Sequence, residues 1–182
     1  LSVLYERCGL VVFHGPVITT LGTADQKTKD SLFEVLSSGI KSDIRPEKEF
    51  IIQEGIASGI LSGGNLATLC HLLGTRFQPD FRGCILLLED ISEPAYKIDR
   101  MLTQMKIAGC FDQVAGVILG SFEECGDLND IFRIVKNIFR NYQIPVLAGF
   151  DIGHGKCNIT VPLGIEVMLD TYNRVLSVKT SE

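Results

Sequence analysis

Three short stretches hold residues whose types and spacing suit catalysis. The first is Gly149-Phe150-Asp151-Ile152-Gly153-His154-Gly155-Lys156-Cys157-Asn158. It lies between two apolar runs, Ile144 to Ala148 and Ile159 to Leu163, that read as strands. His154 thus sits on a loop of a rigid scaffold, and its flanking glycines let the backbone turn while leaving the imidazole uncrowded. Such an imidazole can act as a general base near neutral pH. The plain alternative is a loop histidine without a role. Cys157 offers a Cys/His nucleophile pair on proximity alone.

The second stretch, Leu86-Leu87-Leu88-Glu89-Asp90-Ile91-Ser92-Glu93, puts two carboxylates after an apolar run. Side chains alternate in direction along a strand. Glu89 and Asp90 are therefore expected to face opposite ways, one toward a site and the other into solvent. A carboxylate that accepts an imidazole N–H fixes the tautomer and stabilises the imidazolium. A solvated strand end fits the same residues, because acids and turns commonly follow strands.

The third stretch is Ser62-Gly63-Gly64-Asn65-Leu66, read as a sharp strand-to-helix turn. Free backbone N–H groups at a helix start suit an anion or oxyanion, which makes Gly63, Gly64 and Asn65 candidate substrate-binding residues. A plain helix cap fits equally. The spacing is neither a P-loop nor a dinucleotide fingerprint, and Ser62 lacks the G-x-S-x-G context of a nucleophile elbow. His14, in Phe13-His14-Gly15-Pro16, reads as a structural hydrogen-bonding residue, and His71 as surface or packing.

The elements that must position these groups follow from periodicity and punctuation. Leu1 to Cys8 reads as the tail of a helix stopped by Gly9, and Leu10 to Phe13 as a short buried strand. Asp25 caps a helix over Thr28 to Leu36, with Leu32, Phe33 and Leu36 on one face and Ser37-Ser38-Gly39 closing it. Ile40 to Glu49 is polar and irregular. Phe50-Ile51-Ile52 opens a strand that Gly55 to Leu61 continues or follows. Asn65 caps a helix over Leu66 to Leu73, ended by Gly74. Ile85 to Leu88, apolar on both faces, reads as a central strand.

Pro94 suits the first turn of a helix over Tyr96 to Ile107, whose inner stripe is Ile98, Met101, Leu102 and Met105. Val114 to Leu119 is a further buried strand. A helix over Leu128 to Asn141 carries Ile131, Ile134, Val135 and Ile138 inward. Short turn-linked strands near Val146, Thr160, Val167 and Val175 close the chain and suggest antiparallel pairing. The expected class is α/β with a mixed sheet and closing antiparallel strands.

Composition bounds the rest. The 182 residues suit one domain or a compact pair, and 46% hydrophobic residues supply a sizeable core. A formal net charge of -5 without a basic cluster argues against nucleic acid. No apolar run reaches the ~18 residues of a membrane span. The six cysteines form no C-x-x-C pair or zinc spacing, and read as reduced, buried thiols of a cytoplasmic protein.

Several motifs together resemble the LD-carboxypeptidase family. They are Gly9-Leu10-Val11-Val12-Phe13-His14-Gly15-Pro16, and Gly63-Gly64-Asn65-Leu66 through Leu73-Gly74-Thr75. Leu88-Glu89-Asp90 with Glu93, Tyr96 and Ile98-Asp99 follows, then Gly153-His154 with Asn158, Pro162 and Gly164. The match spans nearly the whole chain in the family's order.

The resemblance implies hydrolysis of the amide bond before a terminal D-amino acid. The best-known substrate is the muropeptide tetrapeptide, which releases D-alanine during cytoplasmic cell-wall recycling. It implies a Ser-Glu-His triad, with Glu89 and His154 as the acid and the base, and no metal or other cofactor. The family's serine lies on an elbow in an N-terminal domain resembling class I glutamine amidotransferases. No serine of this chain takes that place. Residues 1–182 are therefore expected to be the C-terminal, swivelling β/β/α-type domain, inactive alone, with 1–8 as a helix tail from the missing nucleophile domain. The expected partners are that domain, a muropeptide or short peptide ending in a D-amino acid, and a second copy in a homodimer. Two alternatives stand: a microcin C immunity-type peptidase of the same family, and a non-catalytic binding or dimerisation domain.

Overall fold

The computed structural model describes residues 1–38 and 43–179. Its elements in chain order begin with α1 (Ser2–Cys8), β1 (Val12–His14), α2 (Ile18–Leu21), α3 (Gln26–Ser38), β2 (Asp43–Ile44) and β3 (Phe50–Gln53). Next come β4 (Ile56–Asn65), α4 (Leu66–Leu72), β5 (Cys84–Ile91), α5 (Ala95–Ile107), β6 (Gly116–Glu123) and α6 (Leu128–Phe139). The chain closes with β7 (Val146–Ala148), β8 (Val161–Leu163), β9 (Glu166–Asp170) and β10 (Val175–Val178). Gly39, the expected helix stop, and residues 40–42 lie outside the described residues.

An eight-stranded mixed sheet runs in the order β2-β10-β9-β4-β5-β6-β7-β3. Its centre, β4 to β7, is parallel. The flanking pairs are antiparallel, with β9 and β10 joined by a tight turn as expected. β1 and β8 form a separate two-stranded antiparallel sheet. No helix among the described residues is long and apolar enough to cross a membrane.

Alternation along the central strands builds two cores. Leu86 and Leu88 of β5, Val117 and Leu119 of β6, and Val146 and Ala148 of β7 pack toward α4, α5 and α6. Ile85 and Leu87, Ile118 and Leu147 pack on the opposite face, against β1 and β8. The period of two therefore sends Asp90 to the helix face and Glu89 to the small-sheet face.

Four expectations needed correction. β5 does not end at Leu88 but runs through Ile91, so Glu89 and Asp90 are 0% and 1% exposed and neither is solvated. Ser62-Gly63-Gly64-Asn65 is no turn; it is the end of β4, paired in register with Leu86 to Glu89. A side chain at Gly63, where φ is +123°, would meet the Leu87 carbonyl at 2.1 Å, which explains the glycine. β1 is buried only at Val12, while Leu10, Val11 and Phe13 are exposed, because a two-stranded sheet covers one face only.

The inner face of α3 is also different. Thr28 and Val35 are buried, whereas Phe33 and Leu36 face solvent. The polar residues turn inward because the Thr28 and Ser31 hydroxyls accept from the Asn158 and Thr160 N–H groups. The Asp25 cap is formed, with its carboxylate accepting from Thr28 N at 2.7 Å. Pro94 stands one place before α5, at its cap.

Candidate active site

Glu89 leaves the sheet toward the loop that follows β7. There His154 Nδ1 stands 2.7 Å from Glu89 Oε2. An ionised carboxylate only accepts, so Nδ1 carries the proton and Nε2 is left as a base. Glu89 is buried, while the His154 side chain is 48% exposed. Both line a cleft of about 980 Å³ together with His14, Asn65, Lys156 and Asn158. Burial alone would raise the Glu89 pKa; the His14 and His154 imidazoles outweigh it and hold the carboxyl below its ordinary value.

The loop is fixed from several sides. Gly153 N donates to the Asn158 side chain, and Ile159 N to the Asp151 carbonyl. Lys27 of α3 bridges Asp151 and Glu47 at 2.8 Å each, which raises its own pKa. Ser121 N, at the end of β6, donates to the Ile152 carbonyl at 2.8 Å. That approach needs Gly120, where a Cβ would lie 2.2 Å from the same carbonyl oxygen. The Ser121 hydroxyl accepts from Gly155 N.

Asp90, on the other face, joins β5 to the start of α4. Its Oδ1 accepts from Asn65 Nδ2 and Ile91 N, and its Oδ2 from Ala67 N. Burial pushes its pKa up against those hydrogen bonds. Asp90→Ala strands the Asn65 and Ala67 donors and is expected to cost about 1–3 kcal/mol. Urea unfolding of the variant against the parent checks this, and an unchanged midpoint would remove Asp90 as the anchor of the β4–α4 junction.

Gly63, Gly64 and Asn65 line the cleft, but their polar groups are largely committed. Gly63 N and O both bond to the Ser2 hydroxyl. Asn65 caps α4 through Oδ1 and reaches Asp90 through Nδ2. Ser62 is buried at 3% exposure and is not among the cleft-lining residues. Cys157 is likewise outside that lining, and burial pushes its thiol pKa up, away from what a nucleophile needs. All six cysteines are free. Among the described residues no cluster of His, Cys, Asp and Glu is arranged to hold a metal ion.

The arrangement is an imidazole oriented by a buried carboxylate at the wall of an open cleft. It can accept a proton from a hydroxyl or thiol and return it to a leaving group. The family model for the LD-carboxypeptidase C-terminal domain matches residues 58–169. The chain belongs to the LD-carboxypeptidase family.

Its relatives agree with that placement. A putative carboxypeptidase of Synechocystis sp. is 37% identical over 170 residues, covering 90% of this chain and 55% of the relative. A probable murein peptide carboxypeptidase of Bacillus subtilis is 35% identical over 181 residues, covering 93% and 56%. Among solved structures, the Microcin C7 self immunity protein MccF, an inactive mutant in the apo state, superposes with a TM-score of 0.85 at 27% identity, over 100% of this chain and 64% of that one. The chain spans just over half the length of the curated relatives it matches.

Sequence reasoning set His14 apart from the chemistry of the LD-carboxypeptidase fold. The structure brings it to the same carboxylate, with Nε2 3.6 Å from Glu89 Oε1. No local signal could have found this, since the pairing of β1 with β8 is what carries His14 to the cleft.

Proposed function

We propose that this chain gives His154 and Glu89 to a serine-type LD-carboxypeptidase whose nucleophile comes from a segment outside these residues. The observation that carries the reading is the 2.7 Å contact between His154 Nδ1 and a fully buried Glu89, opening on a cleft. In this mechanism His154 Nε2 takes the serine proton as the hydroxyl oxygen attacks the amide carbonyl carbon. Backbone N–H groups beside the serine hold the oxyanion. His154 then gives its proton to the leaving amine of the D-amino acid, and a water hydrolyses the acyl-enzyme by the same route. Glu89 keeps Nε2 the basic nitrogen and stabilises the imidazolium.

The proposed substrate is the cell-wall tetrapeptide, with release of terminal D-alanine during cytoplasmic recycling. Support comes from the murein peptide relative, at 35% identity. The fold likeness to MccF, which is also solved in complex with aspartyl sulfamoyl adenosine, supports a second reading, a microcin C immunity-type peptidase that cuts an amide in a peptidyl-nucleotide. Incubating the full-length protein with an LD-tetrapeptide, its all-L counterpart and a peptidyl-nucleotide amide separates them. D-alanine release from the first is expected, with the other two slower by about 100-fold or more, a margin that stereochemical and polar mismatch at a built site readily supplies. Faster cleavage of the peptidyl-nucleotide would establish the immunity-type reading instead. Hydrolysis by purified 1–182 alone would place the nucleophile within this chain and overturn the proposal.

A further inference from the structure

Three buried polar atoms without a hydrogen-bond partner among the described residues gather at the cleft: His14 Nδ1, Glu89 Oε1 and Thr160 Oγ1. Unpaired buried polar groups cost stability, and a fold keeps them where they serve chemistry or a bound partner. One of them, Glu89 Oε1, faces the other ring nitrogen of His14. Glu89 uses Oε2 on His154 and turns Oε1 toward His14 Nε2, 3.6 Å away. That distance is within ion-pair reach but longer than a hydrogen bond.

His14 is well placed to hold the carboxylate. It ends β1 in register with Val161 of β8, and its side chain is only 13% exposed. The ring faces Gly64 of β4, where a Cβ would sit 3.6 Å from His14 Cδ2. Two strands and a neighbouring strand end therefore confine the imidazole. A carboxylate gripped at one oxygen still turns about its terminal bond, because that torsion is broad. Gripped at both, it cannot turn without losing a partner.

We propose that His14 is a positioning residue, a second imidazole that holds Glu89 Oε1 so that Oε2 stays aligned with His154 through the reaction. The inference rests on the catalytic reading of Glu89 and His154 above. His14 touches no reacting atom in this scheme; it acts through Glu89. The 3.6 Å gap closes when substrate fills the cleft, as catalytic hydrogen bonds in unliganded sites commonly tighten in the complex.

A mutant cycle in the full-length protein tests it. His14→Ala is expected to lower kcat about 10- to 100-fold, the range for groups that orient a primary site residue, with KM within about twofold. His14→Gln, which keeps a donor, is expected to recover part of the loss. In a Glu89→Gln background, His14→Ala is expected to cost no further kcat beyond about twofold, because the group it holds is gone. A packing role would lower activity equally in both backgrounds and would show no rescue by Gln. Unchanged kcat in His14→Ala, or the full loss persisting in the Glu89→Gln background, overturns the proposal.

The downfield N–H proton of His154 supplies a second readout. It is expected to shift in His14→Ala, to shift less in His14→Gln, and to be lost in Glu89→Gln; an unmoved resonance in His14→Ala counts against the role. If His14→Ala does not fold, the Gln variant carries the same comparisons. Full activity in Glu89→Gln or His154→Ala would instead defeat the catalytic reading itself, a result distinct from failure of His14 alone.

Discussion

Glu89→Gln in the full-length protein is expected to lower kcat by about 10⁴-fold, with substrate binding little changed. The side chain keeps its shape, so the loss reports electrostatics rather than packing. A glutamine that turns its NH2 toward Nδ1 makes that nitrogen an acceptor. The ring proton then moves to Nε2, and the histidine cannot take the proton of the nucleophile. A glutamine that turns its carbonyl keeps the tautomer but loses the charge that stabilises the imidazolium. His154→Ala removes the base and is expected to fall to a similar floor, since groups that act as one unit are not additive. Steady-state release of D-alanine measures both. Turnover within tenfold of the parent for either variant would refute the assignment.

The same substitution has a signature in acid. The Glu89 carboxyl is held below its ordinary value in the fold, so the unfolded chain binds the proton first as pH falls. The stabilisation it contributes is present above the unfolded pKa of about 4.3 and is lost as pH drops through the lower folded value. Urea unfolding of Glu89→Gln is therefore expected to show a shallower loss of stability below about pH 5 than the parent does.

Gly153→Ala is expected to reduce kcat at least about 100-fold, the cost of a displacement of about 1 Å at a reacting group. A Cβ at this position would stand 2.4 Å from Glu89 Oε2 and 2.9 Å from its Cδ, and the backbone φ is +117°. The methyl group has nowhere to go. Glu89 is buried, so its carboxylate must be pushed off His154, or the loop must lift away from β5. Either move breaks the 2.7 Å contact. The strained backbone adds a stability loss of about 1–3 kcal/mol. The kcat for D-alanine release and the urea midpoint together check this. Near-parental kcat would mean that Glu89 and His154 do not need to touch for turnover.

The local chemistry of the chain settled a good part of this architecture. The run Ile85 to Leu88 is apolar on both faces because a central parallel strand is covered on both sides. Ile98, Met101, Leu102 and Met105 recur at helical spacing because one face of α5 meets the sheet. Asp25 and Asn65 mark helix starts because a short side-chain oxygen satisfies a free N–H nearby. Glycines on both sides of His154, between two apolar runs, marked a loop presenting an imidazole. All of these are signals carried within a few residues, where sequence pattern and secondary structure share one period.

What only the folded chain decided lies in contacts between distant residues. Glu89 meets His154 across 65 positions and Asp90 meets Asn65 across 25, so no local window shows which acid faces the site or that both are buried. Gly63-Gly64 reads as a turn because glycine suits turns, but at Gly63 the close parallel approach of Leu87 demands glycine within a strand. The face of α3 was misread because Thr28 and Ser31 turn inward for hydrogen bonds to a loop more than a hundred residues away. His14 joined the site only through the pairing of β1 with β8. A pattern of residue types records which groups prefer burial; which partner each one finds there is settled by the packing of the whole chain.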